Sequence, residues 1–320
     1  MRRKYLWLAA FLPFWLAACK TGLPTGEPEE LLAEGRRIYE AKGYKDATRY
    51  FRSITRRYPE AAEAEQALFY EAECRRHRRQ GPVAFETYKK FVETYPNSRY
   101  AVGVALGEYR LGVDHFEGRI PSFLIFGKDR AYGVRILEHM QINFRNHSLA
   151  DDALMRVVSY HLEERDYADA TRVLRRLLAE YPRSEHMLWS RFQLARSLWL
   201  QSQGPLYDER LLTDSRRAFE DYIGTARLAG MEQKQAKQIA AARKMIVRID
   251  ERRAEKEYLI GRFYERTKRP RAAIYYYEHC VRAFPQTESA GSCRKQLEKL
   301  LARTGSEPAG AEKKTEPATG

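Results

Sequence analysis

The chain has 320 residues, is 44% hydrophobic and carries a formal charge of +14, so it can bury a sizeable core and must place a large basic excess. Its apolar positions follow helical spacing almost throughout and no run alternates as a strand does, which excludes a sheet-based fold. The motif classes of most enzymes are also missing: there is no Gly-rich phosphate loop, no His-Glu-x-x-His, no Gly-x-Ser-x-Gly and no paired-cysteine zinc spacing.

The chain opens with a basic and apolar leader. Arg2, Arg3 and Lys4 precede an apolar stretch from Tyr5 to Ala18, too short against the ~20 residues a membrane-spanning helix needs. It ends in Leu16-Ala17-Ala18-Cys19, a bacterial lipobox, in which small residues admit the peptidase and the cysteine thiol takes a diacylglyceryl group. Residues 1–18 therefore read as a signal peptide cut after Ala18, and Cys19 as the lipidation site and membrane anchor; the alternative is an ordinary secretory signal that ends near a cysteine. Two or more acyl chains give stable anchoring, at ~0.8 kcal/mol per buried methylene. Residue 20 is Lys20 rather than the Asp that retains well-studied Gram-negative lipoproteins in the inner membrane, a resemblance that favours the periplasmic face of the outer membrane. Residues 19–29, with Gly22, Pro24, Gly26 and Pro28, read as a flexible tether with an r.m.s. reach of ~15–20 Å.

From residue 30 to 303 the chain repeats a unit that ends in an aromatic residue and proline: Tyr58-Pro59, Tyr95-Pro96, Tyr181-Pro182 and Phe284-Pro285. Twelve residues before each proline is an alanine, Ala47, Ala84, Ala170 or Ala273; eight before is Phe51, Tyr88, Leu174 or Tyr277, followed three on by Ile54, Phe91, Leu177 or Cys280. The first helix of the unit carries small residues at Gly35, Ala72 and Gly261. Small residues let two antiparallel helices approach, bulky ones fill the next turn, and proline ends the second helix. This register resembles the tetratricopeptide repeat, which implies an all-α, right-handed superhelical solenoid. With two degenerate units, one at Gly133, Leu137, Met140 and Phe144 and another at Ala218, Phe219 and Tyr222, the count is about six helix pairs.

Ser98, Ser184 and Thr287 sit at N-cap positions after the prolines, and Ser148 with Asp151 resembles a capping box. The stretches Gly118 to Lys128 and Gly204 to Arg210 interrupt two pairs; the first, apolar from Ile120 to Phe126, either packs on the solenoid or offers a contact to a partner. Met231 to Thr267 reads as one long helical stretch, and residues 304–320 as a disordered tail without apolar residues for packing.

Few residues carry chemistry. The histidines, among them His139 and His161, are read as packing or surface groups, and Asp151-Asp152 as a helix start rather than a metal site, so no metal and no cofactor beyond the covalent lipid on Cys19 is expected. Cys280 and Cys293 lie on successive helices around Pro285; they pair in a disulfide or stand as small buried residues at helix contacts. Arg2, Arg3 and Lys4 leave with the leader, so +11 remains. Arg75, Arg76, Arg78 and Arg79 fall at one turn and Arg266, Lys268, Arg269 and Arg271 at its equivalent. They form either a basic rim for lipid phosphates or an acidic protein surface, or helix C-termini that favour cations without any partner. Nucleic acid is no partner for an exported protein.

The segment Arg253-Ala254-Glu255-Lys256-Glu257-Tyr258, Gly261-Arg262-Phe263-Tyr264, Ala272-Ala273-Ile274 and Phe284-Pro285-Gln286-Thr287 resembles the BamD-type family of outer-membrane β-barrel assembly lipoproteins. The lipobox, the opening repeats and the long penultimate helix agree with it. The resemblance implies a non-enzymatic scaffold, lipid-anchored at the periplasmic face of the outer membrane, that binds the barrel subunit's periplasmic domains, other assembly lipoproteins and unfolded outer-membrane clients. Many relatives read Ala-Ala-x-Asn-Arg at the start of the final paired helix, and that Arg docks on the barrel subunit; here the matching residues are Tyr275 and Tyr276, so the polar contact does not carry over and an aromatic one stands in its place. Tyr275, Tyr276, Arg269 and Arg271 are the partner-binding candidates. A different binding class, a tetratricopeptide adaptor for peptidoglycan synthesis, cell division or secretion, fits the same repeats.

Overall fold

A computed structural model of the protein describes residues 22–120, 129–202 and 209–304. Among these residues there are thirteen helices and no strand, and no helix is long and apolar enough to cross a membrane. Cys19 and Ala18 lie outside the described residues, as do most of the two interrupting loops and all of the tail beyond Thr304.

The chain divides into two compact units, residues 1–147 and 148–320. The first holds α1 (Pro28–Glu40), α2 (Tyr44–Arg57), α3 (Ala62–His77), α4 (Gly81–Thr94), α5 (Ala101–Phe116) and α6 (Arg130–Asn143). The second holds α7 (Ala150–Glu163), α8 (Tyr167–Glu180), α9 (Met187–Gln201), α10 (Glu209–Leu228), α11 (Ala236–Arg266), α12 (Pro270–Ala283) and α13 (Glu288–Thr304). Each helix packs on its successor within its unit, and first helices of neighbouring pairs also touch, α1 on α3 and α3 on α5. This is the helical-repeat architecture of the tetratricopeptide class: six pairs and one terminal helix.

The repeat register explains the packing. Ala47, Ala84, Ala170 and Ala273 are wholly buried, as are Phe51, Tyr88, Leu174 and Tyr277. A methyl group added at Gly35 would meet the Phe51 ring 2.8 Å away, and one at Gly261 would clash with the edge of the Tyr277 ring. Bare backbone on the first helix is therefore what admits the aromatic residue of the second. Each burial of such a ring contributes roughly 2–3 kcal/mol.

Helix ends follow from backbone chemistry. Tyr58, Tyr95, Phe144, Tyr181 and Phe284 leave the helical region at the C-cap, where each N–H still donates to the carbonyl four residues back. The turns inside the pairs use a left-handed residue at Lys42, Arg79, Arg165 and Lys268, and at Gly118. The following N–H reaches five residues back in each case, as in Gly43 N to Ile38 O at 2.9 Å and Arg269 N to Tyr264 O at 2.9 Å, a Schellman-type closure. A long basic side chain is an uncommon occupant of that conformation, and its charge there is favourable to the helix dipole.

Several expectations are corrected. Of the tether, Pro28 and Glu29 already belong to α1, and the preceding carbonyls are held by α2. Arg49 donates to Gly22 O (2.5 Å), Ser53 and Arg57 to Pro24 O (2.6 and 2.9 Å), and Tyr58 to Gly26 O (3.1 Å). Extended Gly/Pro backbone has no internal partners for its carbonyls, so nearby donors take them. Thr287 caps α13 as expected, its hydroxyl accepting from Ala290 N at 3.2 Å. Ser98 and Ser184 instead close the turn before the helix, accepting from Tyr100 N and His186 N. Leu149, not Ser148, is the N-cap of α7, without a side-chain cap bond. In the first loop Ile120 is buried in the core cluster of the first unit.

The core of the first unit also holds carboxylates. Glu71 is paired with Arg75 and accepts from Thr55 at 3.1 Å, while Glu73 takes Arg76 at 2.7 Å and the Tyr88 hydroxyl. Glu108 is wholly buried with its Oε2 3.0 Å from His139 Nδ1, and burial, opposed by that hydrogen bond, raises its carboxyl above the ordinary range.

Two outcomes follow from this packing. Gly261→Ala gains about 1 kcal/mol of helix propensity but must displace a buried ring, at about 1–3 kcal/mol, so differential scanning calorimetry should show a lower Tm. Because the Glu108 pKa is raised by folding, its stabilising contribution is complete below the ordinary carboxyl value and is lost as pH rises through the folded one. The Tm of wild type relative to Glu108→Gln should accordingly fall as pH is taken upward from about 4.5; parallel curves would remove Glu108 as the titrating group.

Candidate protein-docking surface

Helix α11 builds the surface. It is 31 residues long, so it reaches past α10 to become the first helix of the last pair. Ile239, Ala242 and Ile249 bury one face against α10, and Ala254 and Gly261 bury it further on against α12. On another face Lys244, Arg248, Arg252, Glu255, Leu259 and Phe263 follow one another at helical spacing and line a groove. From Ala241 to Phe263 that stripe runs for roughly 33 Å at 1.5 Å per residue.

The groove lies within the second unit and encloses about 1810 Å³. Phe192 and Trp199 of α9, Phe219 of α10 and Met245 supply its apolar floor, and residues Gln286 to Glu288 form a wall beside Glu251. Five basic side chains stand along it against three carboxylates. The Arg252 guanidinium lies 5.6 Å from the Trp199 ring centroid, a cation–π arrangement that holds the ring in place. Val247, Leu259 and Phe263 are 62%, 58% and 51% exposed on α11, far more than the helix-packing positions. Uncovered apolar side chains beside a row of charges, over an aromatic floor, are characteristic of an interaction surface.

That wall depends on Glu251. Its carboxylate accepts from Glu288 N (2.8 Å), Ser289 N (3.1 Å) and Ser289 Oγ (2.6 Å), so one side chain of α11 satisfies the free N–H groups that begin α13.

The partner-binding candidates gather beside this groove. Tyr275 is 61% exposed and meets Tyr276 edge-on at 5.4 Å; Tyr276 stacks on Tyr264 at 5.4 Å, and Tyr264 lines the groove. Arg269 and Arg271 are exposed at the α11–α12 turn. Tyr277 belongs to the core, its hydroxyl donating to Glu265 at 3.1 Å. The basic rim expected in the first unit is corrected in part: Arg75 and Arg76 are ion-paired with Glu71 and Glu73 and are only 14% and 10% exposed at the side chain, because the preceding helix turn carries the matching carboxylates.

Elsewhere the titratable clusters have structural partners. His186 bonds Asp152 at 2.7 Å. Asp166 caps α8, accepting from Asp169 N, and Asp169 accepts from Arg172 at 2.9 Å. Cys74, Cys280 and Cys293 are buried free thiols, and the last two are in contact. The floor residues Phe192, Trp199, Met245 and Leu259 were not singled out by sequence; the available signal was that α11 is apolar on two faces, one more than its pair requires.

This arrangement defines a helical-repeat protein of the tetratricopeptide class, and a tetratricopeptide repeat family model matches residues 66–98. A second family model, described as outer membrane lipoprotein, YfiO, matches residues 127–314. The chain belongs to that family of outer membrane lipoproteins.

No curated protein matches the sequence. Solved structures with similarity include a tetratricopeptide repeat protein from Parabacteroides merdae, 10% identical over 86% of this chain and 98% of that one, with a TM-score of 0.34. The C-terminal part of a repeat-containing protein from Cytophaga hutchinsonii is 12% identical over 83% and 87%, with a TM-score of 0.35. A thermophilic repeat protein from Thermus thermophilus is 14% identical over 86% and 100%, with a TM-score of 0.28.

Removing the Glu251 carboxylate should loosen the Gln286–Glu288 wall without touching the floor. Glu251→Ala is expected to cost about 1–2 kcal/mol at a helix start, seen as faster amide hydrogen exchange confined to α13 and its approach. Exchange spread evenly over α9 to α12 would assign Glu251 a different role.

Proposed function

We propose that the protein is a non-catalytic scaffold of the outer-membrane β-barrel assembly machinery, anchored by lipid at Cys19 and binding the barrel subunit's periplasmic domains together with unfolded outer-membrane clients. The observation that carries this reading is the groove of α9 to α11 and the adjoining exposed Tyr275, both inside the region matched by the lipoprotein family. Its chemistry is that of contact rather than reaction. An apolar floor with cations at its edge accepts side chains of an extended segment or a domain edge, and the aromatic residues can provide much of the binding energy. Tyr275 with Tyr276, flanked by Arg269 and Arg271, offers a second contact to a folded partner domain, and the other assembly lipoproteins are partners on the same reading. Neither matching family describes an enzyme.

The test is a photo-crosslinking amino acid placed at Tyr275 and, separately, at Leu259 in the membrane-anchored protein of its native cells. Links from Tyr275 to the periplasmic domains of a large barrel protein, lost in an Arg269→Glu/Arg271→Glu background, are expected. Links from both positions only to wall-modifying enzymes would refute the assembly role while keeping the docking surface.

A further inference from the structure

We propose that Cys280 and Cys293 form a disulfide in the exported protein and that this bond staples α13, whose start lines the groove, onto α12. The two cysteines lie on consecutive antiparallel helices, one on each side of the Phe284-Pro285 corner. Both are wholly buried in one cluster with Ala254, Ala273, Tyr277 and Ala290. Their thiols are near enough for Cys280 to perturb Cys293 directly, and Cys280 Sγ lies 3.6 Å from the Ala254 carbonyl of α11. Two thiols brought into contact across a helix pair are the arrangement from which a bond closes with little backbone movement.

A staple matters here because α13 is terminal within the described residues. It is held by α12, by α11 and by the Glu251 carboxylate, with no described helix beyond it. The proposal rests on the exported reading of the chain, since disulfides persist in oxidising compartments and not in the cytosol. Closure removes two protons and two electrons from the thiols and forms one S–S bond. The electrons pass by thiol–disulfide exchange to the disulfide of a thiol-oxidase protein, which leaves as a dithiol. In the folded state both thiols are wholly buried, out of reach of a protein oxidant, and the neighbouring Cys280 and then burial hold the Cys293 thiol well above the ordinary range. Exchange therefore takes place before α13 docks, and the docked helix afterwards shields the bond. Cys74, buried in the other unit, has no such neighbour among the described residues and stays a thiol.

The experiment is thiol mapping of the full-length protein recovered from the membrane fraction of its native cells. The protein is denatured and alkylated without reductant, then digested and analysed by mass spectrometry. The expected result is one cross-linked peptide pair joining Cys280 to Cys293, with alkylation at Cys74; alkylation at Cys280 and Cys293 as well overturns the proposal. A second arm refolds the purified chain with oxidised glutathione. A bond that closes in this arm, with the protein found in the cytosol of native cells, shows that the compartment reading failed and not the pairing; no bond in either arm shows that the pairing failed. The stapling role is read from wild type, in which reductant should lower the Tm by roughly 5 °C and accelerate exchange in α13. The Cys280→Ser/Cys293→Ser variant should show no response to reductant, and a wild-type Tm indifferent to reductant would overturn the staple.

Discussion

The contact between bare backbone on one helix and an aromatic ring on the next is the constraint from which the rest of the architecture follows. Gly35 faces Phe51 and Gly261 faces Tyr277 so closely that no side-chain carbon fits between them. Such contacts bring the paired helices close enough to exclude water, and the ring then fills the gap that the next turn would otherwise leave. Because an alanine and a bulky residue recur at fixed distances before each of the four proline corners, those pairs end in the same way. A helix that obeys this register needs only two flanking partners. The long α11 obeys it twice, once against α10 and once against α12, and its remaining face has no described helix over it.

That geometry puts function at the excess face. In a repeat protein the buried faces are committed to neighbouring helices, so what distinguishes one member from another lies on side chains the packing does not use. Here these are Leu259 and Phe263, with the cations that precede them on α11, and the tyrosines of α12. Glu251 links both roles, since a residue of the groove stripe is also what holds the start of α13 in place.

The basic excess of the chain has a largely local origin. Lys42, Arg79, Arg165 and Lys268 occupy the left-handed turns, where their charges lie at helix C-termini, and Arg75 and Arg76 neutralise carboxylates that the core of the first unit has taken in. The cations at the groove are a small and separate set, and it is their position beside an apolar floor, rather than the net charge, that bears on binding.

The helix pairs, their order and their buried residues were legible in the amino-acid sequence, because alanine, ring and proline at fixed spacings are demands of local geometry that any neighbour must respect. The same holds for the long helical stretch that contains α11. The capping serines were misplaced by a turn, since a hydroxyl can close the turn before a helix as readily as cap it. The Gly/Pro segment at 22–27 read as free chain, since which donors take its carbonyls depends on side chains of α2 that are 27 to 33 residues away. The groove belongs wholly to this second kind of information. Sequence determined that α11 carries apolar residues on two faces; only tertiary structure decided which face α10 and α12 would cover, because covering a face depends on where other helices lie and not on the periodicity of the helix itself.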